Sequence, residues 1–523
     1  MIIDKIIIKN LEFSYDFPYK TIFEGLNLEI DKTWKTVLTG KNGRGKTTLL
    51  KLIGGEISNF NGEIISKGTF SYFPYEVNDE SLEIRTVLKD LAGNFFQMEE
   101  LIEKYLQEGN EDALIKYGEV EEIYRNSGGY EIESIIEKEI LDIGLSLDIL
   151  DKKYQVLSGG EKTKIKLIAL FLQKDKFPLI DEPTNHLDIY GREIVAQYLK
   201  GKNKGFICVS HDENFLNEIG DHIINIHSRR GIEVKKAEFS NFRNEKKREE
   251  KKELEKNENL KREIKKKTES FREKYDWSFK AEKEKSTSTA AVVDKGYIGA
   301  RAASLMKKAK NLEKRLLKDI DDKKSLVENF EKNYEIKFFQ SNTKAQVFLK
   351  IDKLNISFEG KNIVENFSLD VLKGERIALI GPNGCGKSSV IKKIIENFYS
   401  SQIKISYIEQ EIFYENEILK DYLLKQNIDL SEFGRFLASF DMRGEVLYRN
   451  LLEFSQGEKR KIALALSIYS KADFYIWDEP LNFLDLDLIE KLEEAILRDK
   501  PTMIFVEHDR NFVEKVATKI IKF

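Results

Sequence analysis

The sequence predicts an α/β protein in which two domains of common design are joined by a long antiparallel pair of helices. Three observations lead there. A stretch of the first half recurs without gaps in the second, each copy sets a glycine-rich loop between an apolar strand and a helix, and a densely charged segment separates the copies. At about 100–200 residues per domain, 523 residues hold two to four domains. Charged residues are 34% and apolar residues 41% of the chain, against about 25% and 45–50% in ordinary globular proteins. Real cores are therefore expected, with an unusually polar element beside them.

Lys and Arg number 86 against 90 Asp and Glu, a net charge of −4, which excludes a uniformly basic nucleic-acid binder but not a locally basic one. Two cysteines, Cys208 and Cys385, are too few for a disulfide framework, a zinc ribbon or an iron–sulfur cluster. The opening residues MIIDKIIIKNLEF carry Asp4, Lys5 and Lys9 through an apolar run and read as a first strand rather than a signal peptide. No uncharged apolar stretch reaches the roughly 18 residues a membrane span needs, so a soluble, cytoplasmic protein is expected.

The repeat comprises four blocks in one order. Residues 26–53 align on 367–394, 156–172 on 453–469, 178–188 on 475–485, and 207–219 on 504–516. In both copies a β-rich start leads to the glycine loop, a helix, a mostly helical stretch, a second helix, a buried strand and a final strand.

The glycine loops follow the pattern G-x-x-x-x-G-K-[ST], first over Gly40–Thr47 and again over Gly381–Ser388. Glycines at Gly40, Gly43 and Gly45, and at Gly381, Gly384 and Gly386, let the backbone curl so that several N–H groups point at a phosphate. The helix that follows adds its N-terminal dipole. Asn42, Lys46, Thr47 and Thr48, and likewise Asn383, Lys387, Ser388 and Ser389, complete the two candidate sites. The lysines would reach β- and γ-phosphates, and the Thr47 and Ser388 hydroxyls would hold Mg2+. A strand ending in DEP then offers Asp181 or Asp478 for the metal and Glu182 or Glu479 to polarise an attacking water. His211 and His508 each follow those glutamates by 29 residues, just after an apolar run, where an imidazole could contact a γ-phosphate.

LSGGE at Leu157–Glu161 and its variant FSQGE at Phe454–Glu458 resemble the signature of ATP-binding-cassette ATPases. The resemblance implies an α/β fold of two P-loop cassettes closing head to tail inside one monomer, with ATP and Mg2+ as cofactors. One site would combine Lys46, Thr47, Asp181, Glu182 and His211 with Ser455, Gln456 and Gly457. The other would combine Lys387, Ser388, Gln410, Asp478, Glu479 and His508 with Ser158, Gly159 and Gly160. Asp188 and Asp485 match the D-loop positions, and Gln410 matches the Q-loop that senses metal and γ-phosphate. Departures from the family pattern make the sites unequal. The first-half counterpart of Gln410 is Tyr75, Gln456 replaces a signature glycine, and Glu507 stands where the first half has Ser210. The first site is expected to be the slower hydrolyser. Tyr15 (or Phe17) and Phe358 are the candidate adenine platforms.

The chain divides by sequence into cassettes at 1–236 and 346–523 around a linker at 237–345. Residues 241–325 hold 27 Lys+Arg against 17 Asp+Glu, a basic element in an otherwise acidic chain. Its first arm has neither Pro nor Gly, and Leu260, Ile264, Phe271 and Trp277 give it a thin apolar seam. Leu305, Ala309, Leu312, Leu316 and Ile320 give the return arm another, so the arms are expected to pair as a helical hairpin. The tip at 286–304 exposes Val292, Val293, Tyr297 and Ile298. Basic arms and a small apolar tip suit a structured RNA target.

Twin cassettes around a basic hairpin resemble the ABC-F family. That resemblance implies a ribosome partner, with the linker reaching toward the peptidyl-transferase centre, the large-subunit RNA and P-site tRNA, and no DNA or membrane partner. The stretch 276–315 and the YFPYE of the first half are most similar to the Lsa-type antibiotic-resistance members, which implies ribosome protection. A housekeeping factor that rescues stalled ribosomes is the alternative, and an exporter's ATPase subunit a weaker one. Residues 76–157 exceed their second-half counterpart, 411–454, by 38 residues. The resemblance implies that part of this excess forms a helical arm near the exit-site stalk.

Overall fold

In the computed structural model, residues 4–16, 19–185, 187–227, 231–249, scattered positions between 251 and 269, 335–339, 343, 345–358, 361–398 and 403–523 are described. The first cassette opens with an antiparallel sheet of β1 (Lys5–Asp16), β2 (Tyr19–Asp31) and β4 (Asn61–Ile65), in the order β2-β1-β4. Its main sheet runs β5-β6-β7-β3-β8-β9, from β3 (Lys35–Thr39), β5 (Thr69–Phe73), β6 (Lys176–Asp181), β7 (Phe206–Val209), β8 (His222–Ile226) and β9 (Ile232–Lys235). All neighbours pair in parallel except β8 and β9. The second cassette repeats the plan. Its hairpin is β10 (Val347–Phe358) and β11 (Lys361–Leu372). Its parallel sheet runs β13-β14-β15-β12-β16, from β12 (Arg376–Ile380), β13 (Ile405–Ile408), β14 (Phe474–Asp478), β15 (Thr502–Val506) and β16 (Lys519–Lys522).

Parallel strands with both faces covered read as continuous apolar runs, and FICV at 206–209 and TMIFV at 502–506 are buried throughout. Helix α1 (Lys46–Gly54) lays Leu49, Leu50, Leu52 and Ile53 on Leu179, Ile207 and Ile224. In the second cassette the corresponding helix, Lys387–Phe398, packs Val390, Ile391 and Ile394 against Ile377, Ile476 and Ile504.

Between β5 and the signature, the first cassette holds α2 (Ile84–Gly93), α3 (Phe95–Glu108), α4 (Glu111–Asn126) and α5 (Ile132–Asp142). Phe95 meets Tyr124 edge-on at 5.9 Å, and the Tyr124 hydroxyl donates to Glu99 at 2.8 Å, which fixes α3 on α4. Short helices at Leu419–Lys425 and Leu430–Leu437 fill that place in the second cassette. The signature helices are α6 (Gly159–Leu172) in the first cassette and Gln456–Tyr469 in the second.

Residues Asn241–Asn333 form a unit of their own, and 239–249 are helical. The expected hairpin seams and the tip at 286–304 lie outside the described residues. Ile336 and Phe338, within the stretch read as linker, are buried in the core of the second cassette. Phe338 packs on Tyr475 at 5.3 Å, and its N–H donates to Asp499 at 2.8 Å. Among the described residues, no helix is long and apolar enough to cross a membrane.

Candidate functional site

Ligands of parallel α/β sheets bind outside the carboxyl ends of the strands, and three adjacent strands bring the sequence-predicted residues to that edge. In the first cassette β3 runs into Gly40–Thr47, β6 ends at Asp181, and β7 leads through Ser210 to His211. Strands β12, β14 and β15 do the same for Gly381–Ser388, Asp478 and His508.

The phosphate loops depend on backbone that a side chain would block. Gly45 sits at φ 91°, and a Cβ there would fall 2.4 Å from Ile22 Cγ2; Gly386 at φ 102° would meet Ile363 Cγ2 at 2.7 Å. Lys46 Nζ donates to Gly40 O at 2.7 Å and to Asn42 Oδ1 at 3.3 Å. Lys387 Nζ donates to Gly381 O at 2.9 Å and Pro382 O at 2.8 Å, with Cys385 Sγ at 3.9 Å. Burial pulls the Lys46 ammonium below its usual range, while Glu182 and Asp485 act to raise it.

Thr47 stands beside Asp181 and Ser388 beside Asp478, a matched pair in which each hydroxyl acts to lower its aspartate. Burial raises both aspartates above the ordinary carboxylate range. One oxygen of each, Oδ1, is buried without a hydrogen-bond partner. Buried carboxylate oxygens beside hydroxyls form the donor set that hard divalent cations prefer.

Glu182 and Glu479 occupy left-handed backbone at φ 54° and 49°. Each turns its N–H to the end of the neighbouring strand, Val209 O at 2.9 Å or Val506 O at 3.0 Å. Each carboxylate lies 3.3 Å from the switch-position imidazole Nε2, of His211 or His508. Beyond that their surroundings differ. Glu479 accepts from Gln410 Nε2 at 2.9 Å and Asn482 Nδ2 at 2.7 Å. Burial acts to raise it, but hydrogen bonds and charge from His508, with those from Asn482 and Gln410, hold it at about 2. Burial pushes Glu182 up to about 8, and the charge of Asp181 adds to this.

Tyr75, the counterpart of Gln410, is directed away from Glu182: its hydroxyl donates to Lys166 O at 3.1 Å. Tyr72, which the sequence did not single out, reaches the site instead and donates to Asp181 Oδ2 at 3.1 Å. Arg460 was also missed. It donates to the carbonyls of Glu409 and Gln410 and so fixes the second Q-loop, where the first cassette has only Thr163. The signal available was a lone arginine on the buried face of the signature helix.

Tyr15 is 40% exposed beside the first phosphate loop, with its hydroxyl 3.2 Å from Thr48 Oγ1. The side chain of Phe358 lies outside the described residues. Ser158 and Ser455 are N-caps with reciprocal capping boxes to Glu161 and Glu458. Gly159 and Gly160 open the first signature helix, and Gln456 and Gly457 open the second. A side chain at Gly457 would meet Phe483 O at 2.8 Å, whereas Gln456 is accommodated.

The cassettes touch at these loops. Asp188 caps its helix through Gly191 N at 2.7 Å, and its other oxygen accepts the Asn383 N–H of the opposite phosphate loop at 3.0 Å. Asp485 lies 3.6 Å from Lys461 and feels the charges of His211 and Lys46 across the interface.

Twin phosphate loops, strand-end carboxylates and signature helices define an ATP-binding-cassette ATPase. The profile described as "ABC transporter" matches residues 23–185 and 364–482, more than half of the chain, and the chain belongs to that family. It binds ATP and is an ATPase with two cassettes of the ABC-F type. Among its relatives, the putative ATP-binding protein YdiF of Bacillus subtilis is 29% identical over 98% of this chain and 79% of its own length. The ribosome protection protein VmlR of the same species is 27% identical over 98% and 86%. ATP-binding cassette sub-family F member 3 of Mus musculus is 26% identical over 97% and 70%. The fold is shared with an archaeal ribosome recycling factor, aABCE1, solved in complex with the ribosomal stalk protein aP1. That match has a TM-score of 0.58 and 18% identity, covering 98% of this chain and 87% of that one.

Proposed function

We propose that the chain is an ATP-driven ribosome factor whose basic middle segment acts on the large-subunit RNA and P-site tRNA, and that it protects ribosomes from drugs at the peptidyl-transferase centre. The observation that carries this reading is the alignment with a ribosome protection protein along 98% of the chain, the basic segment included. Cassettes at 1–236 and 346–523 would flank the linker at 237–345. The Lsa-type resemblance at 276–315 is the ground for the drug-protection part.

In this reading Lys46 and Lys387 bind the phosphates. Thr47 with Asp181, and Ser388 with Asp478, would hold Mg2+, for which the two orphaned Oδ1 atoms fit. The metal, when bound, supplies a Lewis acid at the phosphate oxygens. Glu479 is ionised and aligned by Gln410 and Asn482 to accept a proton from water, and His508 sits within reach of the same carboxylate. Closure with ATP places the linker, and hydrolysis releases it.

Pelleting with ribosomes tests the reading. The Glu182→Gln/Glu479→Gln double variant should pellet with ribosomes only when ATP is present, and deletion of 286–304 should weaken this. Release of a labelled peptidyl-transferase inhibitor from those ribosomes would support protection. Failure to pellet in any nucleotide state would exclude a ribosome factor.

A further inference from the structure

The repeat gives each cassette an aspartate directly after the switch histidine, Asp212 and Asp509, and each caps the next helix. Asp212 Oδ1 accepts Phe215 N at 2.9 Å, and Asp509 Oδ1 accepts Phe512 N at 2.9 Å. The two capped ends meet across the cassette interface. Asn511 Nδ2 donates to Asn214 Oδ1 at 3.1 Å, and Arg510 lies 3.7 Å from Glu193. Two like charges therefore approach one another where the cassettes must close. Burial and the charge of Asp212 together push Asp509 up to about 6.

A buried cation of the first cassette lies against both. Arg192 Nη1 donates to Asp212 Oδ2 at 3.0 Å, and Nε donates to the D-loop carbonyl of Leu187 at 3.2 Å. Its side chain is only 14% exposed, and it feels the charges of Glu507 and Asp509 from the second cassette. The aligned position in the second cassette is Ile489, so no symmetric partner shares the task.

We infer that Arg192 is a positioning residue for both ATP sites, the buried cation that lets the Asp212 and Asp509 ends of the two switch loops close on each other. It also ties the D-loop, whose Asp188 touches the opposite phosphate loop, to the same interface. When the cassettes part, Arg192 leaves with Asp212, and Asp509 loses its counter-charge. Closure and the ordering of His211 and His508 are thereby linked. The inference rests on the ATPase reading of the two histidine loops, which wild-type turnover checks separately.

A double-mutant cycle on the full chain tests it, with steady-state ATPase as readout. Arg192→Ile, which installs the residue of the other cassette, should raise KM for ATP about tenfold with a smaller change in kcat. Arg192→Lys should recover most of that loss. Asp509→Asn keeps a good N-cap while removing the repelling charge, so Arg192→Ile/Asp509→Asn should have a lower KM than Arg192→Ile alone. Melting temperatures of the wild type and the four variants separate folding loss from misplacement. Additive effects of the two substitutions, or a lysine variant as impaired as the isoleucine one, would overturn the assignment. Absent turnover in the wild type would instead defeat the ATPase reading.

Discussion

Glu507 replaces the serine of the first cassette and changes what holds the loop before the switch histidine. In the first cassette Ser210 and Thr184 share a hydrogen bond of 2.8 Å. In the second, Glu507 accepts from Leu481 N at 2.7 Å and His508 N at 3.0 Å. Burial pushes its carboxyl up to about 8, which these bonds and Arg192 do not offset. The unfolded chain loses that proton near the ordinary value of about 4.3. Folded protein thus holds the extra proton between those values, and stability from this group falls as pH rises from about 4.5 to 8. The melting temperature of the wild type should decline relative to Glu507→Gln between pH 5 and pH 8.5, and parallel curves would refute it. Cys385 offers a second check at this scale. It is partly exposed inside the second phosphate loop, near Lys387. Thiol alkylation should slow ATPase and ATP should protect; unchanged activity would mean that the second site contributes little.

At the scale of elements, the segment 335–339 packs against β14, the strand that ends at Asp478. Phe338 packs against Tyr475 and Trp477 of β14, and Arg498 donates to Ile336 O. Phe338→Ala should cost about 3–5 kcal/mol by the usual price of an emptied aromatic site, read as a lower denaturation midpoint. A change below about 1 kcal/mol would show that the segment is not anchored there. The phosphate loops, strand-end carboxylates and signature caps were legible in the sequence because their chemistry demands fixed residues at fixed spacing. Tyr72 and Arg460 were not. They act through tertiary placement, a strand residue reaching a neighbouring strand end and a helix residue reaching a preceding loop, and no local pattern shows which group either one reaches. The positive φ of Glu182 and Glu479 was equally hidden, since the residue type gives no sign of it.

Across the whole molecule, the duplication preserves the plan of the sites and alters their partners. Gln410, fixed by Arg460, aligns Glu479, while Tyr75 bonds α6 and leaves Glu182 with its histidine. The departure at Tyr75 was readable by comparing the two halves, but its consequence appears only in the hydrogen bonds. We propose that the second site is organised for turnover and the first for holding nucleotide, within cassettes that meet through Asp188 and Asn383. Single-variant ATPase rates address this division most directly. Glu479→Gln should remove most of the steady-state activity, on the order of a hundredfold or more, and Glu182→Gln should leave most of it. Equal losses, or a greater loss from Glu182→Gln, would show that the two sites do not divide the work in this way.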